Sequence, residues 1–249
     1  MCGEAAQCSD PVHAGRRIYT MRKSVIDLQI RKPSHSGRRP MPMNLLKRLA
    51  FAPFVLALTA TALLAQSAAD KADAERLIRV LDVRAGSSVA EIGAGNGELS
   101  FAMATAVGST GKVYINDINA DRARTIRQAA EKAGYTQVTV VEGHATQTNF
   151  PAQCCDAIFM RNVYHHFGDP QAMNASLRDT LKPGGRLAII DFTPPPLGGE
   201  AAPGKRGEDG HHGITAPTLE AELKAAGFEI VSSATTDRSV FVVARRPSS

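Results

Sequence analysis

Three alternating glycines behind an acidic residue form the stretch of this chain that is best suited to bind a ligand. Within residues 89–99, Glu91 precedes Gly93, Gly95 and Gly97. A short apolar run, then glycines, then helix-forming residues is typical of a strand, a tight turn and a helix. Glycine lets the backbone approach a ligand closely, and the start of the helix offers free N–H groups. The pattern predicts a ligand-binding turn, although many turns of this kind are rich in glycine for packing alone.

The spacing of the glycines distinguishes two classes of ligand. A dinucleotide fingerprint has glycine at the sixth position of Gly-x-Gly-x-x-Gly, and in this chain that position is Glu98. A carboxylate there would repel a pyrophosphate at the start of the helix, where anions otherwise bind. A ligand with a cationic centre would not be repelled, and the turn is therefore predicted to bind a ligand of that class.

Polar residues also mark the ends of the other predicted strands. Asp117 follows the second strand, where a carboxylate can accept hydrogen bonds from both hydroxyls of a ribose; a helix N-cap is the alternative. Residues 142–145 and 161–167 follow the third and fourth strands, and Gly184 and Gly185 precede the fifth. Because ligands bind outside the carboxyl ends of parallel strands, the residues that follow these strands are predicted to face one site.

Alternating strands and helices position these residues, and the pattern predicts an α/β fold. Strands are expected at Ser88–Ile92, Lys112–Asn116, Val138–Val141, Asp156–Met160, Arg186–Asp191, Phe228–Ser232 and Val240–Ala244. Helices are expected at Lys71–Leu81, Glu98–Val107, Asp121–Ala133, Pro170–Leu181 and Thr218–Ala226, with Lys182–Gly185 as a turn. The alternation predicts a doubly wound, mostly parallel seven-stranded sheet that ends in an antiparallel hairpin.

These motifs resemble the class I, Rossmann-like S-adenosylmethionine-dependent methyltransferases across residues 71–249. The resemblance rests on residues 91–97, 113–118, 155–159 and 181–187. It implies S-adenosylmethionine as the cofactor and methyl transfer to a small-molecule acceptor as the reaction. It also implies a set of cofactor-binding residues, namely Glu91, Gly93, Ala94, Gly95, Asn96, Gly97, Asp117, Ile118, His144, Ala145 and Arg161. Where the family usually has an acid that holds the adenine amine, this chain has His144, whose neutral imidazole can still accept that hydrogen bond.

Histidines are concentrated on loops that are predicted to face this site: His144, His165, His166, His211 and His212. Three roles stay open for them, namely solvated side chains, metal ligands and a general base. No spacing fixes a coordination geometry, so no metal site is assigned. His165 and His166 are the candidate catalytic residues. Because neighbours in an extended chain point oppositely, only one of the two is expected to face the methyl group.

The segment Thr193–Gly213 is predicted to be a loop of about twenty residues, a length typical of a lid or a binding loop. The rest of the domain shows no inserted substrate domain, so the acceptor is not identified from the sequence. An alternative function is a non-catalytic periplasmic protein that binds a ligand or a metal and retains the methyltransferase fold.

The first part of the chain is predicted to lie outside the folded domain, which is assigned to residues 68–249. Residues 43–67 combine a short basic segment, an apolar run and small residues suited to cleavage before Ala68, which predicts a signal peptide and export. A retained membrane anchor is the alternative. Residues 1–42 are predicted to be disordered, or to precede the true start of translation.

The charge of the chain is concentrated in that first part. The formal charge is +5, but residues 66–249 hold 19 basic and 21 acidic side chains. The folded part therefore gives no support to nucleic-acid binding. A membrane contact is expected only through the signal or anchor. Cys154 and Cys155 are adjacent, a spacing that rarely forms a disulfide.

Overall fold

The computed structural model describes residues 67–196, 199–206 and 213–248. The segment 1–42 and all but the last residue of the segment 43–67 lie outside the described residues, as do His211 and His212. Among the helices of the described part, none is long and apolar enough to cross a membrane.

A seven-stranded sheet in the order β3-β2-β1-β4-β5-β7-β6 forms the centre of the described part. The strands are β1 Ser88–Ile92, β2 Lys112–Asp117, β3 Val138–Glu142, β4 Cys155–Arg161, β5 Leu181–Phe192, β6 Glu229–Thr235 and β7 Ser239–Arg245. Neighbours among the first five strands pair in parallel, whereas β7 is antiparallel to both β5 and β6. The chain reverses its strand order between β1 and β4, and crevices at such points are where these sheets bind ligands.

Helices cover both faces of this sheet. They are α1 over residues 67–80, α2 Glu98–Val107, α3 Ala120–Lys132, α4 Pro170–Thr180 and α5 Ala216–Ala225. Side chains of α1, α2 and α3 pack on one face, and those of α4 and α5 pack on the other. Neighbours along β4 alternate accordingly, since Ile158 belongs to one core and Phe159 to the other. The predicted doubly wound fold with its C-terminal hairpin is confirmed.

The differences from the predicted elements have local causes. The predicted turn Lys182–Gly185 is part of β5, which starts at Leu181, and its pairing with β4 is irregular between Cys155 and Ala157. Tyr164–His166 is a short 3₁₀-helix rather than extended chain. The prediction that His165 and His166 alternate as in a strand was therefore wrong in its geometry. Cys154 and Cys155 are both free thiols.

Candidate functional site

The glycine turn lies between β1 and α2 and has a left-handed backbone at each glycine. The φ angles are +67° at Gly93, +58° at Gly95 and +84° at Gly97, a region that residues with a side chain rarely adopt. A Cβ added at Gly93 would lie 2.6 Å from Val163 Cγ2, whereas one added at Gly95 would meet no atom within 4 Å. Gly93 is therefore required for packing, and Gly95 opens onto free space at the edge of the sheet.

Side chains from the end of β2 hold the turn in this shape. The N–H of Gly93 donates to Asn116 Oδ1 at 3.1 Å, and the N–H of Gly95 donates to Asp117 Oδ2 at 3.0 Å. Asp117 Oδ1 also accepts from the N–H of Asn119 at 2.8 Å. Both side chains are buried. Asp117 thus lies where the sequence predicts a ribose-binding acid, and in the ligand-free protein it also fixes the glycine turn.

Two cavities meet at the glycine turn and share part of their lining. The smaller, of about 350 Å³, is lined by the acidic residues Asp70, Glu91 and Glu98. The larger, of about 550 Å³, extends past Asp117 towards the loops that follow β3 and β4. Five residues line both cavities: Gly93, Gly95, Arg122, Arg161 and Asn162. The arrangement suits an elongated ligand that passes across the turn with a cationic end towards the acids.

Glu91 is buried at the end of β1 and borders the smaller cavity. Burial raises the pKa of its carboxyl to about 8, although a hydrogen bond from Ser100 Oγ and the charge of Arg161 act in the opposite direction. Desolvation disfavours the ionised form, and here it outweighs both. The side chain is therefore largely protonated near neutral pH in the ligand-free protein.

Glu91→Gln is expected to stabilise the ligand-free protein increasingly as the pH rises from about 4.5 to about 8. In this interval the unfolded chain ionises its glutamate while the folded protein keeps the proton, which costs about 1.4 kcal/mol of unfolding free energy per pH unit. Glutamine cannot ionise and escapes that cost. Urea unfolding of both proteins across this range measures the effect, and a stability difference that does not change with pH would contradict it.

Arg161 ends β4 and is paired with α1. Its Nη1 lies 2.6 Å from Asp70 Oδ1 and 3.0 Å from Asp73 Oδ2, with all three side chains less than one-third exposed. Arg161 also lines both cavities. These ion pairs fasten α1 beside the smaller cavity, so a helix that precedes the sheet in sequence contributes to the site.

His144 follows β3 and lines the larger cavity. Its Nδ1 accepts from the N–H of Thr146 at 3.3 Å and lies 3.1 Å from Thr146 Oγ1. In a neutral ring with Nδ1 as acceptor, Nε2 carries the proton. That His144 accepts a hydrogen bond from an adenine amine stays a prediction. For this, Nδ1 would have to give up its hydrogen bond from Thr146 and accept one from the ligand.

His165 and His166 differ sharply in exposure. The side chain of His165 is 2 % exposed, and its Nδ1 lies 2.6 Å from Oδ1 of the fully buried Asp191. His166 is exposed and lines the larger cavity. Their rings are in contact, with centroids 3.9 Å apart. One histidine therefore faces the cavity and the other lies beneath it, as predicted, but a 3₁₀-helix produces this arrangement.

A buried polar network connects this 3₁₀-helix to α5. Tyr164 Oη donates to Glu222 Oε2 at 2.9 Å and accepts from Asn174 Nδ2 at 2.7 Å. Arg206 forms two hydrogen bonds to the same glutamate, at 2.9 and 2.6 Å. A described part of the long loop after β5 is thus anchored to the layer that positions the two histidines.

Most of the predicted site residues meet at the two cavities. Glu91, Ala94 and Asn96 line the smaller one, and Ile118 and Ala145 line the larger one. Gly97 is absent from both linings because it packs against α3 and α2, where an added Cβ would lie 3.4 Å from Ile126 and from Phe101. Asn162 was expected at the site as part of residues 161–167, whereas Asp70, Asn116 and Arg122 were not assigned to it from the sequence. Asn116 directly precedes Asp117 at the end of β2. This position at the carboxyl end of a strand is the sequence signal that could have assigned Asn116 to the site.

Metal binding by the histidines receives no structural support from the described residues. Among them, no three His, Cys, Asp or Glu side chains are grouped so that they could hold a metal ion. The described histidines of the site instead contact Thr146, Asp191 and each other.

This chain is similar to known methyltransferases in part of its sequence and in its fold. Residues 89–185 match the model of a methyltransferase domain family. The ubiquinone/menaquinone biosynthesis C-methyltransferase UbiE of Hahella chejuensis is 32 % identical over 114 residues, which are 45 % of this chain and 46 % of that protein. The chain thus spans less than half the length of this curated relative.

Solved structures share the fold at lower identity. A SAM-dependent methyltransferase from Aquifex aeolicus aligns with a TM-score of 0.59 and 22 % identity, over 70 % of this chain and 89 % of that one. A possible exported protein from Bordetella parapertussis aligns with a TM-score of 0.58 and 19 % identity, over 75 % and 69 %. The family match includes the glycine turn, the end of β2 and the fourth strand that form the site. Residues 89–185 thus match a methyltransferase domain family, and the described fold is shared with a SAM-dependent methyltransferase of known structure.

Proposed function

We propose that this protein is an enzyme that transfers the methyl group of S-adenosylmethionine to a small-molecule acceptor. The observation that carries the proposal is the convergence of Glu91, Gly95 and Asp117 on two adjoining cavities at the carboxyl edge of the sheet. The matches to methyltransferases support the same reaction class. The methyl carbon would pass from sulfur to a nucleophilic atom of the acceptor, and positioning of the two reactants would supply much of the rate.

The residues of the site fit the chemistry of this cofactor. Its sulfonium and ammonium groups are cationic, and the smaller cavity is lined by Asp70, Glu91 and Glu98 together with Arg122 and Arg161. Asp70 is paired with Arg161 and Glu91 holds its proton near neutral pH, so Glu98 is the acid that would meet a cationic group first, and Glu91 would ionise on binding. Its ribose offers two hydroxyl donors, and Asp117 has two carboxylate oxygens at the end of β2. Gly95 leaves open the space that a side chain would occupy. Ile118 is 68 % exposed at the rim of the larger cavity, where an apolar surface suits an adenine ring.

The acceptor is proposed to bind near the part of the larger cavity that follows β4. Val163, Phe167 and Met173 line this part together with His166. Apolar walls with few polar groups are typical of sites for small organic molecules. A compact acceptor with an apolar body therefore fits better than a nucleic acid or an extended polymer.

Asp117→Ala is expected to weaken S-adenosylmethionine binding by roughly 1.5–3 kcal/mol, the range for hydrogen bonds to a charged group. Calorimetric titration with S-adenosylmethionine and S-adenosylhomocysteine measures this loss. Asp156→Ala is the matched control, because it removes a carboxylate from the opposite end of the sheet, where Asp156 pairs with Lys182 at 2.6 Å. Equal binding by both variants and the native protein would reject the proposed cofactor site.

The same titration, followed by a methyl-transfer screen on phenols, small thiols and cell-envelope extracts, separates the enzyme from its alternative. A non-catalytic periplasmic protein that retained the fold would bind a ligand without turnover. Substitution of the usual acid by His144 is the feature that favours this alternative. Turnover with any acceptor in the screen decides for the enzyme.

We also propose that the protein is exported. The support is the basic and apolar pattern of residues 43–67, which ends in small residues before Ala68. A fold relative is described as a possible exported protein. Expression from Met43 is expected to yield a secreted or periplasmic protein that begins near Ala68. N-terminal sequencing of the mature protein checks this, and a product that retains residues 1–42 would refute it.

A further inference from the structure

We propose that His166 is the general base for methyl transfer and that the buried pair of Asp191 and His165 positions it. The inference rests on the proposed function and extends it to the class of acceptor. It starts from the contact between the rings of His165 and His166, whose centroids are 3.9 Å apart. His166 reaches the cavity, whereas His165 and Asp191 are buried behind it.

Asp191 holds His165 at two points and also binds the next residue after itself. Its Oδ1 lies 2.6 Å from His165 Nδ1 and accepts from the N–H of Phe192 at 2.7 Å, and its Oδ2 accepts from the N–H of His165 at 3.0 Å. An ionised carboxylate can only accept, so Nδ1 of His165 carries a proton. One buried side chain therefore fixes both the backbone and the ring of His165.

The ring of His165 is held in place, and its contact with the ring of His166 positions that second ring. Tyr164 anchors the same 3₁₀-helix through Glu222 and Asn174, so buried partners hold both of the residues that precede His166. Phe192 packs edge-on against His165 at 5.8 Å between ring centroids. An imidazole held in this way keeps one orientation towards the cavity. Reactions that require a near-attack geometry depend on such orientation.

The carboxylate of Asp191 also lies buried behind the pair of rings. A buried negative charge stabilises a nearby imidazolium more strongly than the same charge would in water. An aspartate behind a histidine serves this purpose in other catalytic arrangements, where it orients the ring and stabilises its cationic form. Asp191 and His165 are positioning residues in this scheme, because neither reaches the cavity.

Among the described residues, four other charged or titratable groups line the cavity that His166 lines. They are Asp117 at the end of β2, Arg122 on α3, His144 after β3 and Arg161 at the end of β4. Arg161 is already paired with two aspartates, Asp70 and Asp73. Asp191 differs from all of these because it is fully buried directly behind the histidine pair.

The proton transfer defines the acceptor class. The nucleophilic atom of the acceptor would form its bond to the methyl carbon with its own electron pair, and the electron pair of the methyl–sulfur bond would stay on sulfur. The proton of the nucleophilic atom would move to a ring nitrogen of His166, which would become an imidazolium and later release the proton to water. An acceptor of this kind is neutral and carries a proton on its nucleophilic atom, as a phenol does. An acceptor that is already anionic would need no such base.

The test is nitrogen and proton NMR of the histidine rings in the ligand-free protein. We expect His165 of the native protein to be protonated on Nδ1. Asp191→Asn should abolish this single tautomer, and the titration midpoint of His166 should fall by about half a pH unit or more, since a stabilising charge is lost. Asp156→Asn removes a carboxylate at the opposite end of the sheet and should change neither signal.

A His165 ring protonated on Nε2 in the native protein overturns the inference, and this measurement holds even if Asp191→Asn does not fold. An unchanged midpoint for His166 in a folded Asp191→Asn protein overturns it too, because the buried carboxylate would then exert no influence on His166. The proposed function is judged separately by the calorimetric titration with S-adenosylmethionine. If S-adenosylmethionine does not bind but the NMR result is as expected, the proposed cofactor is rejected while the arrangement of the histidines stands.

Discussion

Replacement of Gly95 by valine is expected to abolish S-adenosylmethionine binding. The backbone of Gly95 has a φ of +58°, and a side chain there would project into open space at the junction of the two cavities. A branched side chain both strains this conformation and fills the space next to the ligand. No saturable heat should be seen in calorimetric titration of a folded Gly95→Val protein.

The matched control for backbone strain is Gly134→Val. Gly134 has a φ of +74° after α3, and an added Cβ there also meets no atom within 4 Å. Its substitution carries a comparable conformational cost, but Gly134 lines neither cavity. Both variants should lose similar stability in thermal unfolding, while only Gly95→Val loses binding. Retained binding in Gly95→Val would place the cofactor elsewhere.

Replacement of His166 by alanine is expected to slow methyl transfer by about 10²–10⁴-fold, the usual contribution of a general base. S-adenosylmethionine affinity should change little, because the residue lies beside the acceptor part of the larger cavity. Single-turnover rates with an acceptor found among phenols or thiols measure the loss, and calorimetry measures the affinity.

His166→Gln separates proton transfer from a simple polar contact. Glutamine retains a hydrogen-bonding side chain at the cavity but cannot take up a proton near neutral pH. If His166 is the base, both variants should be slow to a similar degree. Native-like rates with glutamine would show that His166 only contacts the acceptor.

Local patterns were sufficient to predict most of the fold. A short, mostly apolar segment followed by glycines is a local signal, and the strand predicted from it, Ser88–Ile92, agrees with the structure. Element ends were less accurate, since β5 begins at Leu181 where a turn was predicted. Pairing with β4 extends that strand, and a pairing partner 26 residues away, Cys155, leaves no local signal.

Site residues could be predicted only where a local sequence pattern marks them. Gly95 and Asp117 follow recognisable strand ends, so their positions could be inferred. The ion pair between Arg161 and Asp70 spans 91 residues, and no pattern in either segment indicates it. The 3₁₀-helix over Tyr164–His166 is likewise set by tertiary contacts, here through Asp191 and Glu222. Contacts of this kind decide which of two adjacent histidines reaches the cavity.

The buried carboxyl of Glu91 gives the protein an internal spectroscopic reporter. With a pKa raised to about 8 by burial, this group holds its proton near neutral pH while exposed carboxylates have lost theirs. Protonated and ionised carboxyls absorb at different infrared frequencies. A cationic ligand in the adjoining cavity would favour the ionised form and expel the proton. Cofactor occupancy can then be followed without any label, either from the infrared band or from the dependence of the calorimetric heat on the ionisation enthalpy of the buffer.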